Sequence, residues 1–264
     1  MENRYAAVNK RLKSSLNFIA DQMDAVARFG RHRLVKESDL GIAYGEHTLG
    51  RLISMLSVDT VFDIGANVGQ YALELRNKVG FRGQIISYEP LPQAVQELHA
   101  LAKRDPKWQI NQIAIDAAAG KAKFNVMVGD QFSSLLKPSE QFAGRFNGQH
   151  IVQDVIEVEV ITLATAVKEA PPFKVALLKL DTQGTELRIL QGGQDCLDRF
   201  SAIQLEVGFQ SLYEGESGFS EIVDTMNAWG YGLCALFPNN RGHFPHLLEM
   251  DAVFLRKNLF PDLR

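Results

Sequence analysis

Cysteine is almost missing from this chain: its 264 residues include two, Cys196 and Cys234, and neither belongs to a CxxC pair. That scarcity argues against a disulfide framework and against a cysteine-ligated zinc site. Both thiols are expected as small apolar residues of the core. An excess of positive charge is missing too. Lys and Arg number 28 against 31 Asp and Glu, a formal net charge of −3, so the chain as a whole lacks the basic field of a nucleic-acid binder. No apolar run approaches the roughly 18 residues that a membrane-spanning helix needs. The N-terminus is polar and lacks the apolar stretch of a secretory signal, which leaves a cytoplasmic location as the default expectation. What is present, 46% apolar and 22% charged residues, suffices for one large core with an appendage.

Residues 1–57 are expected to form an N-terminal helical extension. Tyr5, Val8, Leu12, Leu16, Ile19, Met23 and Val26 recur at steps of three and four, which makes one apolar stripe on a helix. The stripe needs a cover, and the periodicity does not choose among the protein's own core, a second copy in a homodimer and a membrane surface. Gly41 and Gly45 are expected to bracket a polar turn before a second helix, Glu46–Leu56. From residue 58 to 264 the texture is that of one α/β domain. Strands are expected at Thr60–Ile64, Gln84–Glu89, Gln109–Ile115, Val175–Leu180 and Ala202–Val207. Helices are expected between them near Val68–Lys78, Gln93–Lys103, Glu186–Gln191 and Glu221–Trp229. Two further alternating segments, Lys121–Val128 and Val155–Ile161, flank a polar loop from Gly129 to Gln153. A loop of that length, carrying Phe132, Phe142 and Phe146, is a candidate lid. Tyr231–Phe237 and Ala252–Arg256 are expected to close the chain as a hairpin.

The strongest motif is V-F-D-I-G-A-N-V-G-Q-Y, Val61 to Tyr71. An apolar strand ends in Asp63, Gly65 permits a tight turn, and a helix opens near Gly69, where free backbone N–H groups can meet an anion. A dinucleotide site would carry G-x-G-x-x-G here, whereas this chain has G-x-x-x-G preceded by an acid. The acid favours S-adenosylmethionine, whose amino group is a cation that Asp63 can meet. Glu89 ends the second strand, 20 residues beyond Gly69, where a carboxylate accepts ribose hydroxyls; alone it marks a nucleoside without saying which. A third string, L-L-K-L-D-T-Q-G-T-E from Leu177 to Glu186, places Asp181 at the carboxyl edge of the sheet and Glu186 at a helix start.

Together, VFDIGANVGQYAL, YEP, LLKLDTQGTELRILQGG and IQLEV resemble the FkbM-type methyltransferases from about Val58 to Lys257. The resemblance implies a Rossmann-like class I methyltransferase fold: a mostly parallel seven-stranded sheet with a C-terminal antiparallel hairpin. It also implies S-adenosylmethionine as methyl donor and O-methylation of a sugar, glycan or natural product. By motif, Asp63, Gly65, Ala66, Asn67 and Gly69 would cradle the methionine part, with Glu89 on the ribose and Asp181 beside the cofactor. Ser133, Ser134 and Leu135 match the family's short serine-containing segment near the active-site mouth, and Ser134 is counted with the cofactor set. Where such proteins commonly read T-L-D, this chain reads Thr162, Leu163, Ala164, so whatever an acid does there is lost.

Methyl transfer needs proximity and a base for the acceptor hydroxyl. Asp181 is the first candidate base, Glu206 the second, and His243, which shares a C-terminal loop with His246, the third. A divalent cation held by these groups is conceivable, but no metal is assigned. The N/D-P-P-Y/F string of base methyltransferases is absent after the fourth strand, and Ala170-Pro171-Pro172-Phe173 precedes that strand, so no nucleic-acid partner is expected. The alternative is a methyltransferase-like binding or assembly module without turnover.

Overall fold

The computed structural model describes residues 35–139, 148–238 and 247–260. The stripe from Tyr5 to Val26, Phe142, Phe146, His243 and His246 lie outside the described residues.

Seven strands form the main sheet: β1 (Thr60–Ile64), β2 (Gln84–Tyr88), β3 (Trp108–Asn111), β7 (Ala176–Leu180), β8 (Phe200–Gly208), β9 (Tyr231–Phe237) and β10 (Glu249–Arg256). Their order is β3-β2-β1-β7-β8-β10-β9. The first five run parallel, whereas β10 pairs antiparallel with both β8 and β9. This is the expected mostly parallel seven-stranded sheet with its C-terminal hairpin. Between β3 and β7 the chain builds a smaller sheet from β4 (Ala114–Ile115), β5 (Gly120–Met127) and β6 (Val152–Ile161), in the order β4-β6-β5.

Side chains alternate across each strand, so the main sheet buries both faces. Phe62 and Ile64 point into one apolar core, shared with α4 (Leu163–Glu169), α5 (Glu186–Gly192) and α6 (Phe219–Ala228). Val61 points into the other, shared with α1 (Leu40–Leu56), α2 (Gln70–Glu74) and α3 (Pro92–Ala102). The small sheet closes a third cluster through Phe124, Val158 and Val160 against Leu91 and Ala94.

Several expectations need correction. Gly41 and Gly45 do not bracket a turn, because α1 already starts at Leu40. They are contact points: a Cβ at Gly45 would stand 3.0 Å from the Phe237 ring, and one at Gly41 3.1 Å from Pro238, so these glycines let α1 sit down on the end of β9. The expected strand Gln109–Ile115 is two strands in two sheets, β3 and β4, with a tight turn in which Ile113 N donates to Asn111 O at 3.1 Å. The first helix of the domain, α2, is short, with a π turn (Leu75–Val79) completing it. Helix α4 was not expected at all. Thr162 caps it, its Oγ1 accepting from Thr165 N at 3.2 Å, in the usual way of a Thr N-cap. Cys196 is buried as expected, but Cys234 is exposed, because β9 is the sheet edge. Among the described residues no helix is long and apolar enough to cross a membrane.

Candidate active site

Strand order reverses on either side of β1, and open α/β sheets bind ligands at the carboxyl ends of the strands flanking such a point. Here a cavity of about 690 Å³ opens there, lined from β1, β2, β7, β8 and β10, within the range of small-molecule sites.

One wall of the cavity begins where β1 ends. Gly65 has φ +77°, and a Cβ on it would lie 1.8 Å from the carbonyl oxygen of Asp181. Only glycine lets the loop after β1 press against the chain leaving β7. Gly65 N and Ala66 N both donate to Tyr88 O, at 3.0 and 3.1 Å, which ties this loop to the end of β2. Asn67, at φ 45°, is of a residue type that tolerates the left-handed region; its N–H donates to Glu89 Oε2 at 2.8 Å, and Leu91 N donates to Glu89 Oε1 at 2.9 Å. Burial pushes the Glu89 carboxyl up to about 7, although those two backbone donors pull the other way. Each of its oxygens keeps a further lone pair, and Glu89 lines the cavity together with Gly65, Ala66 and Asn67.

Asp63, Gly69 and Ser134 stand behind that lining. Asp63 is fully buried: Ser87 Oγ donates to its Oδ2 at 3.0 Å, and Lys179 Nζ lies 3.6 Å from Oδ1. Burial raises its carboxyl above the usual range and Lys179 opposes the rise. Its side chain therefore braces the loop from below. Gly69, at φ +91°, precedes α2, and a Cβ there would meet Leu98 and Trp108 at 3.0 Å. Ser134 Oγ donates to Gln183 O at 2.7 Å and accepts from Leu136 N at 3.0 Å, stitching the loop after β5 to the turn after β7.

Lys179 is a site residue that the sequence reading passed over, although a lysine inside the buried strand Ala176–Leu180 is itself a signal. Its Nζ lies 3.2 Å from Asp181 Oδ2 and 3.4 Å from Gly65 O, and 5.3 Å from the centre of the Tyr71 ring. Burial alone would lower its pKa, but Asp181, Asp63 and Asp251 together hold it above the ordinary lysine value. It lines the cavity and is the one Lys or Arg among the described residues that do.

The opposite wall is acidic. Asp181 and Glu206, the two carboxylates proposed as bases, are brought together: Gln183 Nε2 donates to Asp181 Oδ1 at 2.9 Å and to Glu206 Oε2 at 2.8 Å. Burial, then the charge of Asp181, pushes Glu206 well above the carboxylate range. Asp251 is pushed up to about 7 by burial and then by Asp181. Tyr213 is buried and reaches the same group, its Oη donating to Gln183 Oε1 at 2.7 Å. Glu186 does not line the cavity. Its Oε1 accepts from Thr182 N at 2.7 Å and its Oε2 from Gly184 N at 3.0 Å, so it closes the turn that carries Asp181 and Gln183. Among the described residues no group of three His, Cys, Asp or Glu is arranged to hold a metal ion.

The site thus consists of a backbone-lined loop, a buried carboxylate at the end of β2 and a paired carboxylate opposite. The chain is 28% identical over 192 residues to the 2-O-methyltransferase NoeI of Sinorhizobium fredii, covering 67% of this chain and 74% of that protein. It is 24% identical over 199 residues to the 31-O-demethyl-FK506 methyltransferase FkbM of Streptomyces tacrolimicus, with the same shares of each chain covered. Among solved structures, the METTL16 methyltransferase domain aligns with a TM-score of 0.48 at 10% identity, over 85% of this chain and 70% of that one. The family model of the methyltransferase FkbM domain matches residues 63–233, more than half of the chain, so the protein belongs to the FkbM methyltransferase family.

Proposed function

We propose that the protein is an S-adenosylmethionine-dependent O-methyltransferase acting on a hydroxyl of a sugar, glycan or small natural product. The observation that carries this reading is the acidic lining of the cavity. The carboxyl groups of Glu74, Glu89, Asp130, Asp181, Glu206, Glu249 and Asp251 line it, against Lys179 as the one Lys or Arg among the described lining residues. A dinucleotide would bring two phosphates into that field, whereas S-adenosylmethionine brings a sulfonium and an ammonium against one carboxylate. The residues fit the donor in detail. Glu89 has lone pairs left for both ribose hydroxyls, and the Gly65–Asn67 backbone offers the bare surface on which the methionine end can rest. The relatives whose names specify 2-O and 31-O methylation favour oxygen as the acceptor atom.

Bound S-adenosylmethionine supplies an electrophilic methyl group for in-line displacement. The chain's own contribution is to hold the acceptor oxygen in line and to take its proton. Asp181 is our candidate for that role: it lines the cavity with its side chain 38% exposed, and Lys179 Nζ lies 3.2 Å from its Oδ2. Glu206, held toward the protonated form by burial, suits hydrogen-bond donation to a second acceptor oxygen. His243 remains the third proposed base.

Calorimetric titration with S-adenosylmethionine and with NAD tests the donor. Micromolar binding of the former and none of the latter is expected, and the reverse result overturns the assignment. A labelled methyl donor offered to a panel of oligosaccharides and hydroxylated macrolides then tests the acceptor class.

A further inference from the structure

Within the string Leu177–Glu186, Gln183 stands between the two carboxyl groups of the acidic wall. Its backbone has φ 57°, a conformation disfavoured for a long side chain and of the kind that persists where surrounding contacts over-determine it. Those contacts are unusually complete. The backbone oxygen accepts from Ser134 Oγ at 2.7 Å. Of the side-chain amide, Nε2 gives one proton to Asp181 Oδ1 at 2.9 Å and the other to Glu206 Oε2 at 2.8 Å. Oε1 accepts from Tyr213 Oη at 2.7 Å. The amide is oriented with its NH₂ toward Asp181, an acceptor when ionised, and its oxygen toward the Tyr213 hydroxyl. Tyr213 Oη also lies 2.9 Å from Phe132 O, and its single proton is shared between two acceptors, so the phenol ties the amide to the loop over the cavity.

Two carboxyl groups in one low-dielectric wall repel when both are ionised, and the burial of Glu206, which favours its protonated form, relieves that repulsion. A single NH₂ ties the two groups to one another, while Lys179, 3.2 Å from Asp181, makes the pair unequal. Gln183 also lines the cavity, so the carboxylates it holds face the same space.

We propose that Gln183 is a positioning residue of the transfer site: its amide, oriented by Tyr213, holds Asp181 and Glu206 side by side toward the point where the methyl group is transferred. The proposal rests on the methyltransferase reading above. Asparagine would relax the backbone more easily but falls one methylene short of bridging two carboxyl groups, which accounts for a glutamine in a left-handed position.

The test needs no acceptor. Sinefungin carries an amine, cationic at neutral pH, where the donor carries its transferable methyl group, and S-adenosylhomocysteine carries nothing there. The ratio of their dissociation constants, measured by calorimetry on the full chain, reports the field at that point. In the wild-type protein sinefungin is expected to bind at least tenfold more tightly. In Gln183→Met the preference should fall to about twofold or less, with S-adenosylhomocysteine affinity kept within about threefold. Tyr213→Phe, a milder change, should erode the preference several-fold and guards against a Gln183 variant that does not fold. A merely structural role would weaken both ligands together and leave the ratio alone. An unchanged ratio in both variants overturns the proposal while leaving the methyltransferase reading intact. Failure of the wild-type protein to bind either ligand overturns that reading, and the positioning role falls with it.

Discussion

The two walls of the cavity are built from different materials. Around the Gly65–Asn67 loop and Glu89, the polar contacts of the cavity lining run to the main chain. Glu89 is held by Asn67 N and Leu91 N, and the Gly65–Ala66 turn by Tyr88 O. On the acceptor side the contacts run from side chain to side chain, through Gln183, Asp181, Glu206 and Tyr213, and from Tyr71 Oη to Gln204 Oε1 at 2.8 Å. A wall made of main-chain groups keeps its shape under substitution, because those groups are common to all residues. A wall made of side chains is re-cut by any one of them. The contrast teaches that substitution can re-cut one wall of this cavity while leaving the other in shape.

Lys179 joins the walls, touching Asp63, Asp181 and Gly65 O, and removing it should break the comparison altogether. Lys179→Met leaves Asp63 fully buried with Ser87 as its remaining partner. Breaking a buried pair in this way costs about 3–5 kcal/mol, a large part of the roughly 5–15 kcal/mol that holds a domain folded. Urea denaturation should show that loss. The double variant Lys179→Met with Asp63→Asn should recover most of it, since the orphaned charge is then gone. Equal losses in single and double variants would show that Lys179 matters by packing and not by charge.

A smaller effect sharpens the donor side. The Glu89 carboxyl is pushed from its ordinary value of 4.5 up to about 7. Between those values the folded chain binds the proton more than the unfolded chain does, so stability falls as pH rises through that window. Donor affinity runs the other way, because ribose hydroxyls need the ionised carboxylate to accept them. Binding of S-adenosylmethionine should strengthen as pH rises toward about 7 and level off above it. In Glu89→Gln the affinity should drop about 10- to 100-fold, the scale of one or two hydrogen bonds to a charged group, and its dependence on pH should flatten. The stability slope should become shallower without vanishing, because Glu186 and Asp251, also raised to about 7, contribute with the same sign. An affinity that weakened with rising pH would remove Glu89 from the ribose site.

The same contrast explains what the sequence disclosed. The donor wall was legible because its parts are local: a strand, a glycine that must be glycine and an acid 20 residues beyond Gly69. The sheet was legible because period-two apolar runs alternate with helical ones. Gly41 and Gly45 misled because glycine marks close contact as well as turns, and the contact, Phe237 and Pro238, lies some 190 residues away. Asp63 was assigned to the ligand because its position beside the loop is visible in sequence, whereas its burial against Ser87 and Lys179 is not. Gln183 went unnoticed for a similar reason: its partners Glu206 and Tyr213 lie 23 and 30 residues on.

The smallest expected effect concerns Ala164, the position where the family resemblance leads one to expect an acid. The residue is exposed in the first turn of α4, behind the Thr162 cap, and it does not line the cavity. An acid at that place would meet the positive end of the helix and no ligand. Ala164→Asp should therefore stabilise the fold by about 0.3–1 kcal/mol, less at high salt, and leave the affinity for S-adenosylmethionine within error. A gain in stability without a change in binding places the missing acid in the scaffold and makes this variant the control for the two larger ones. A change in donor affinity would mean instead that α4 communicates with the acceptor wall through the core it shares with β7 and β8, and the separation of the two walls would have to be redrawn.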